Sequence, residues 1–201
     1  MSVYGMRGDG GFVVKKLLIN DKVLVSMGLA SVAIANTEGI IDAFDASAGT
    51  TPQVAANFLA QPYPARRISV TAMAVGTADL SDELIINGYD SFGKLRTERI
   101  IVSSTGSATN YTNYAYAQLV SITPDDASHK SADVDIGWNN DFGLPHPIAS
   151  SGDLIAVSDN GNHATTSPIG TVNKQYNWIS ITSPSAANSY TIQWMTEFQD
   201  V

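Results

Sequence analysis

Four groups of residues have the types that catalysis or ligand binding draws on. His129, His146 and His163 are the three imidazoles. A metal centre needs two or more of them to converge beside carboxylates. Each stands in a turn-like context, so surface positions are expected and no metal ligand is assigned. Asp133 and Asp135 project from one face of the strand-like "ADVDIGW". Paired carboxylates about 5–9.5 Å apart hydrolyse glycosides, yet no glycosidase signature flanks these two. "SDNGNH" (Ser158–His163) gathers oxygen donors as calcium loops do. It lacks the acidic ligand that closes such a loop, and Gly161 comes too early. A type I′ hairpin turn at Asn160-Gly161 is the simpler reading. Tyr114 and Tyr116 share a face of "NYTNYAYAQLV". Such a pair either stacks on a sugar or fills a core or subunit interface, and packing is expected.

Motifs with stronger chemistry were sought without result. The chain has no G-x-S-x-G elbow, H-E-x-x-H helix, P-loop or dinucleotide fingerprint. The glycines of "RGDGG" precede a β-like run, where no helix N-terminus can receive a phosphate. Arg7-Gly8-Asp9 matches an adhesion tripeptide, and Asn110-Tyr111-Thr112 is a glycosylation sequon. Three residues carry little information, and a sequon has meaning only in an exported chain. The sequence therefore assigns no catalytic, cofactor-binding or metal-binding residue.

The densest charge lies in "INGYDSFGKLRTERII" (Ile86–Ile101). Ser91-Phe92-Gly93 reads as a three-residue hairpin loop with Gly93 in the left-handed conformation. Asp90 then faces Lys94, Tyr89 faces Leu95, Gly88 faces Arg96 and Ile86 faces Glu98. Asp90, Lys94, Arg96 and Glu98 are expected on a solvated face, with Tyr89, Leu95, Thr97 and Ile85 buried. Arg99 falls on the apolar side, opposite Ile85, its stem packed and its head turned outward.

The elements that must position these residues are strands. "GFVVKKLLI" and "KVLVS" flank a turn at Asn20-Asp21, and "SVAIAN" follows. Further strand-like runs are "RRISVTAMAV", "DELIINGY", "RTERIIVSS", "YAYAQLVSI", "ADVDIGW", "DLIAVSD", "YNWISI" and "SYTIQWMTEF". Gly, Asn, Asp, Ser and Pro clusters bound them. One helix is predicted in "TTPQVAANFLAQP", with Thr51 as cap, Pro52 at the first helical position and Pro62 as stop. "EGIIDAFDASAGTT" shows no period and reads as a long loop. The fold class is all-β: an antiparallel sandwich or jelly-roll-like domain with at most one short helix. A seam near Pro62–Pro64 divides residues 1–62, an arm and β segment, from a main β domain over 63–201.

With 201 residues, 44% of them hydrophobic, the chain can bury a core. Its net charge of −8 and scattered basic residues argue against nucleic acid. Cysteine is absent, which removes disulfides and thiolate chemistry. "MSVYGMRGDGGF" lacks the apolar stretch of a signal peptide, and no run reaches the length of a membrane span. Folding in a cytoplasm without membrane association is expected. That Gly-rich start reads as an arm that orders on a neighbouring subunit.

The run from Tyr63 to Val102, with "VDIGWNNDFGLPHPI" after it, resembles a diffuse family of tailed-bacteriophage virion proteins. The matching residues are Pro64, Arg66 and Arg67; then Gly88, Asp90, Gly93, Thr97, Glu98 and Ile100; then Gly143, Leu144 and Pro145. The resemblance covers about Pro62 to Ile148. It implies a non-enzymatic structural component of the particle: a capsid decoration or minor head protein that binds the major capsid protein. A homo-oligomer assembled in the host bacterial cytoplasm is expected. A tail, baseplate or fibre-associated protein contacting host glycans through Tyr114 and Tyr116 is the alternative. The resemblance supplies no catalytic residue.

Overall fold

A computed structural model describes residues 5–6, 12–19, 22–29, 34–45, 51–72, 83–102, 109–125, 133–160, 162–164, 169–182, 184–185 and 188–197. His129, the Arg7-Gly8-Asp9 tripeptide, the ends of several expected strands and most of the expected N-terminal arm lie outside these residues. The strands are β1 (Gly5–Met6), β2 (Phe12–Ile19), β3 (Lys22–Leu29), β4 (Asn36–Asp45), β5 (Gln53–Val54), β6 (Arg66–Ala72), β7 (Glu83–Asp90) and β8 (Leu95–Ile101). They continue with β9 (Thr109–Pro124), β10 (Asp133–Gly143), β11 (Leu154–Asp159), β12 (Asn162–Ala164), β13 (Ile169–Asn173), β14 (Trp178–Ile181) and β15 (Tyr190–Glu197). The protein is all-β, and among the described residues no helix reaches seven residues. By contact the chain forms two units, residues 1–34 with 144–201, and residues 35–143; Pro62–Pro64 lies inside the second.

The first unit holds an antiparallel sheet in the order β1-β2-β3-β15-β11-β12. Buried residues alternate strictly along β3 and β15, the signature of strands with one face on a core. Val25, Met27, Ile192 and Trp194 fill that face. Ile19 pairs with Lys22, and the expected turn residues Asn20-Asp21 lie outside the described residues. Asp159 pairs with Asn162 and Asn160 takes φ +49°, so the loop expected at Asn160-Gly161 is a hairpin turn. Gly5–Met6 pair with Val13 and Phe12 of the same chain, so that part of the expected arm is tied down at home.

The second unit runs β4-β10-β6-β9-β7-β8, with β5 also on β9. β9 is 16 residues long; its first half pairs with β6 and its second half with β7. The sheet wraps one core in which Ile40, Ile68, Ile86, Ile100, Tyr116 and Ile136 meet from six strands.

Two expectations fail here. "EGIIDAFD" is not a loop but most of β4. Its register on β10 shifts twice, and Ala43 sits at φ +51°, so bulges erase the two-residue period. "TTPQVAANFLAQP" forms β5 and a single 3-10 turn, Ala55–Asn57, rather than a helix. Nine residues form a stable helix only when an apolar face is buried, and none of the three turn residues is buried.

Candidate functional site

The β7–β8 hairpin has the predicted register. Tyr89 faces Leu95, Gly88 faces Arg96, Ile86 faces Glu98 and Ile85 faces Arg99. The Asp90 N–H donates to the Lys94 carbonyl at 2.9 Å, and Gly93 takes φ +74°. The buried face, however, is the opposite of the one expected. Asp90 and Glu98 are buried, whereas Tyr89 and Leu95 are 40% and 58% exposed. Polar side chains occupy inner positions because backbone groups there need partners. Asp90 Oδ1 accepts from the N–H groups of Phe92 and Lys94 at 2.9 Å, closing the turn, and Oδ2 accepts from Arg96 Nε at 2.7 Å. That hydrogen bond raises the Arg96 pKa further, and the guanidinium lies 4.3 Å from the Tyr114 ring centroid. Arg99 is thereby on the wet side, bound to Glu83 at 3.2 Å and to Asp125.

Glu98 reaches from β8 to a bulge in β9. Between the pairs Arg67–Ala115 and Ser69–Tyr111, one β6 residue stands opposite three β9 residues, Thr112 to Tyr114. A bulge frees peptide groups that must be satisfied elsewhere. The Glu98 carboxylate accepts from the Asn113 N–H at 2.7 Å, the Tyr114 N–H at 3.0 Å and the Tyr116 hydroxyl at 3.0 Å. Buried beside that charge, the Tyr116 phenol has its pKa pushed well above the usual tyrosine range, first by burial and then by Glu98. Thr112 is fully buried; its hydroxyl accepts from the Ile68 N–H at 2.8 Å and donates to the Tyr114 carbonyl at 2.7 Å.

A second bulge lies across β6. Between Trp138–Ile68 and Phe142–Arg66, Arg67 stands opposite three β10 residues, Asn139 to Asp141. Arg67 ties the two bulges together, its Nε donating to the Thr112 carbonyl and its Nη1 to Asp141 at 2.7 Å. Arg66 is fully buried, 4.3 Å from the Phe142 ring centroid, with Nη1 donating to the Asn139 carbonyl at 3.1 Å. Burial lowers its pKa to about 10. Asp135 repeats the pattern on β4, accepting from the N–H of the left-handed Ala43 at 3.1 Å.

Between β8 and the first half of β9 lies an open cleft of about 360 Å³, lined by Glu98, Arg99, Ile101, Asn110 and Tyr111 among others. Asn110 spans one end, its side-chain N–H donating to the Ile101 carbonyl at 2.7 Å. Tyr111 is 43% exposed, with Arg67 5.4 Å from its ring centroid. Both outer members of the sequon thus serve the fold.

The residues singled out from sequence do not converge on this cleft. Asp133 is exposed at the start of β10, while Asp135 is buried and engaged at the Ala43 bulge. Tyr116 is fully buried, so it offers no stacking surface; Tyr114 is partly buried against the core. His146 is exposed, and the side chain of His163 lies outside the described residues. Among the described residues no group of three or more metal-ligating side chains converges. Tyr111 carried no sequence signal beyond a sequon, and Arg67 stood out only as part of the family-like Pro-Arg start of its strand.

Fold and site together define an all-β protein whose buried charges serve its own bulged backbone. Comparison with protein-family models, with curated proteins and with solved structures finds no match.

Proposed function

We propose that this chain is a non-enzymatic structural component of a bacteriophage particle, a capsid decoration or minor head protein that binds the major capsid shell. The observation that carries the reading is where the family-like residues fall. Arg66, Arg67, Gly88, Asp90, Gly93, Thr97, Glu98, Ile100 and Gly143 lie in β6–β10 or the β7–β8 turn and, with Pro64, inside the second unit, while Leu144 and Pro145 fall in the first. Each that carries a charge is spent on a turn or a bulge. That most of the matching residues share one folded unit supports the reading. Glu98, the one carboxylate lining the cleft, accepts three hydrogen bonds from its own chain, a poor arrangement for an acid or base. The far end of the β7–β8 hairpin exposes Phe92 and Leu95, apolar surface of the kind that a neighbouring subunit covers in a symmetric assembly.

Quantitative mass spectrometry of purified particles tests the reading. A copy number fixed by capsid geometry, and saturable rebinding of the purified protein to stripped shells, is the expected result. Absence from the particles overturns it, and a low copy number confined to tails moves the chain to a tail or baseplate role.

A further inference from the structure

β8 ends its ladder, and the alternation of an antiparallel pair decides which of its peptide groups look outward. The Asp90 N–H donates to the Lys94 carbonyl, so the even-numbered residues of β8 face β7. The N–H and C=O groups of Thr97, Arg99 and Ile101 therefore point away from it. Asn110 takes the Ile101 carbonyl. Among the described residues nothing pairs with the Arg99 peptide groups, and Arg99 lines the cleft together with Tyr111. The cleft thus combines a donor and an acceptor side by side with an aromatic ring that remains 43% exposed.

We infer that this cleft binds an uncharged saccharide, one pyranose unit seated with its C–H face on Tyr111 and its hydroxyls on the Arg99 peptide and the Asn110 side-chain oxygen. Three observations point to this class. Its volume, about 360 Å³, lies at the small-ligand end of binding pockets. A hydroxyl donates and accepts at once, which suits a strand edge offering both functions in a row, while the sugar's apolar face suits a tyrosine ring. The charge is also selective. Arg99 is matched by Glu83 and Asp125, Arg67 is matched by Asp141, and the lining includes the Glu98 carboxylate. A site with that balance disfavours phosphates, nucleotides and acidic sugars. The inference does not rest on the particle reading: either can fail while the other stands.

Saturation-transfer NMR with D-glucose, D-galactose, D-mannose and N-acetylglucosamine, and N-acetylneuraminic acid as the anionic comparison, tests it. At least one neutral sugar is expected to receive transfer at its ring C–H protons. Tyr111→Ala should weaken that binding about tenfold or more, with Tyr111→Phe retaining it. Amide shifts on titrating the wild-type chain should centre on Arg99, Ile101 and Asn110, a readout that needs no variant to fold. Binding of none of the four neutral sugars overturns the inference. So do equal binding of the anionic sugar, full binding by a folded Tyr111→Ala chain, or amide shifts confined to other strands.

Discussion

Tyr116 donates its hydroxyl to Glu98 at 3.0 Å inside the core of the second unit, placing a phenol and a carboxylate where neither meets water freely. Burial, then the Glu98 charge, hold the phenol protonated beyond its ordinary pKa of 10.0. Above that value the folded state keeps a proton that the unfolded chain has lost, so this group's contribution falls as pH rises from about 10. Arg66 acts with the opposite sign, since burial holds its folded pKa, about 10, well below the ordinary arginine range. Comparing wild type with Tyr116→Phe cancels the arginine. Urea unfolding at several pH values should show the wild type losing stability more steeply than Tyr116→Phe above pH 10. Parallel curves would mean that the phenol titrates normally.

Glu98 accepts from two peptide N–H groups at the β9 bulge. Glu98→Ala strands both, at about 1–3 kcal/mol for each buried donor, and a total of about 3–5 kcal/mol is expected. Glu98→Gln keeps one accepting oxygen and turns an N–H₂ toward an N–H, so about half that loss should appear. Chemical denaturation measures both. A loss under 1 kcal/mol for Glu98→Ala would show that water replaces the carboxylate without penalty.

Arg67 joins two bulges through different nitrogens of one planar group, which a lysine cannot imitate. Arg67→Lys and Arg67→Ala are therefore expected to lower stability by similar amounts, about 2–3 kcal/mol. For a chain of this size that is a fall of about 4–12 °C in melting temperature. Rescue by lysine would indicate that charge alone, rather than the bridge, matters at this position.

Gly88 and Gly93 lie five residues apart and should respond differently to alanine. A Cβ at Gly88 would stand 2.5 Å from the Gln118 carbonyl oxygen and 2.7 Å from the Tyr116 ring, so the β7–β9 ladder must move. A Cβ at Gly93 meets nothing within 4 Å, and only the positive φ opposes it. Calorimetry should give about 1 kcal/mol for Gly93→Ala and clearly more for Gly88→Ala. Equal losses would place the strain of both in the turn.

Arg99 lies on the wet face, its two carboxylate partners exposed with it. Arg99→Ala should leave the melting temperature within about 2 °C of wild type, and the small difference should vanish in high salt. A large loss would return Arg99 to the buried side.

The hairpin register was legible in the sequence because turn geometry alone fixes it: once Gly93 takes a positive φ, every pairing from Asp90–Lys94 onward follows. Which face is buried was not legible. Polarity said that Glu98 and Asp90 face water, and they do not, because the need they meet belongs to the backbone of β9 and of the turn. That need comes from bulges, and bulges leave no local mark in sequence. The same reason hid β4, whose shifted register against β10 breaks its alternation at Ala43. Tyr111 was passed over for Tyr114 and Tyr116, since identical residues at i and i+2 look like a platform. Fold class was easy by comparison; β3 and β15 alternate without interruption.

The first unit takes its sheet from both ends of the chain. Lys22 pairs with Glu197 and Leu29 with Tyr190, so β3 gains its central neighbour only after roughly 170 further residues have been made. At about 5–20 residues per second, a ribosome needs on the order of 10–30 s to supply that partner. All strands of the second unit are complete well before then. During that interval the apolar face of β3, with Val25 and Met27, has no β15 beside it. Vectorial synthesis thus gives the middle of this chain a head start over its beginning, and it makes the β2–β3 hairpin the segment with the longest exposure to chaperones and to neighbouring nascent chains.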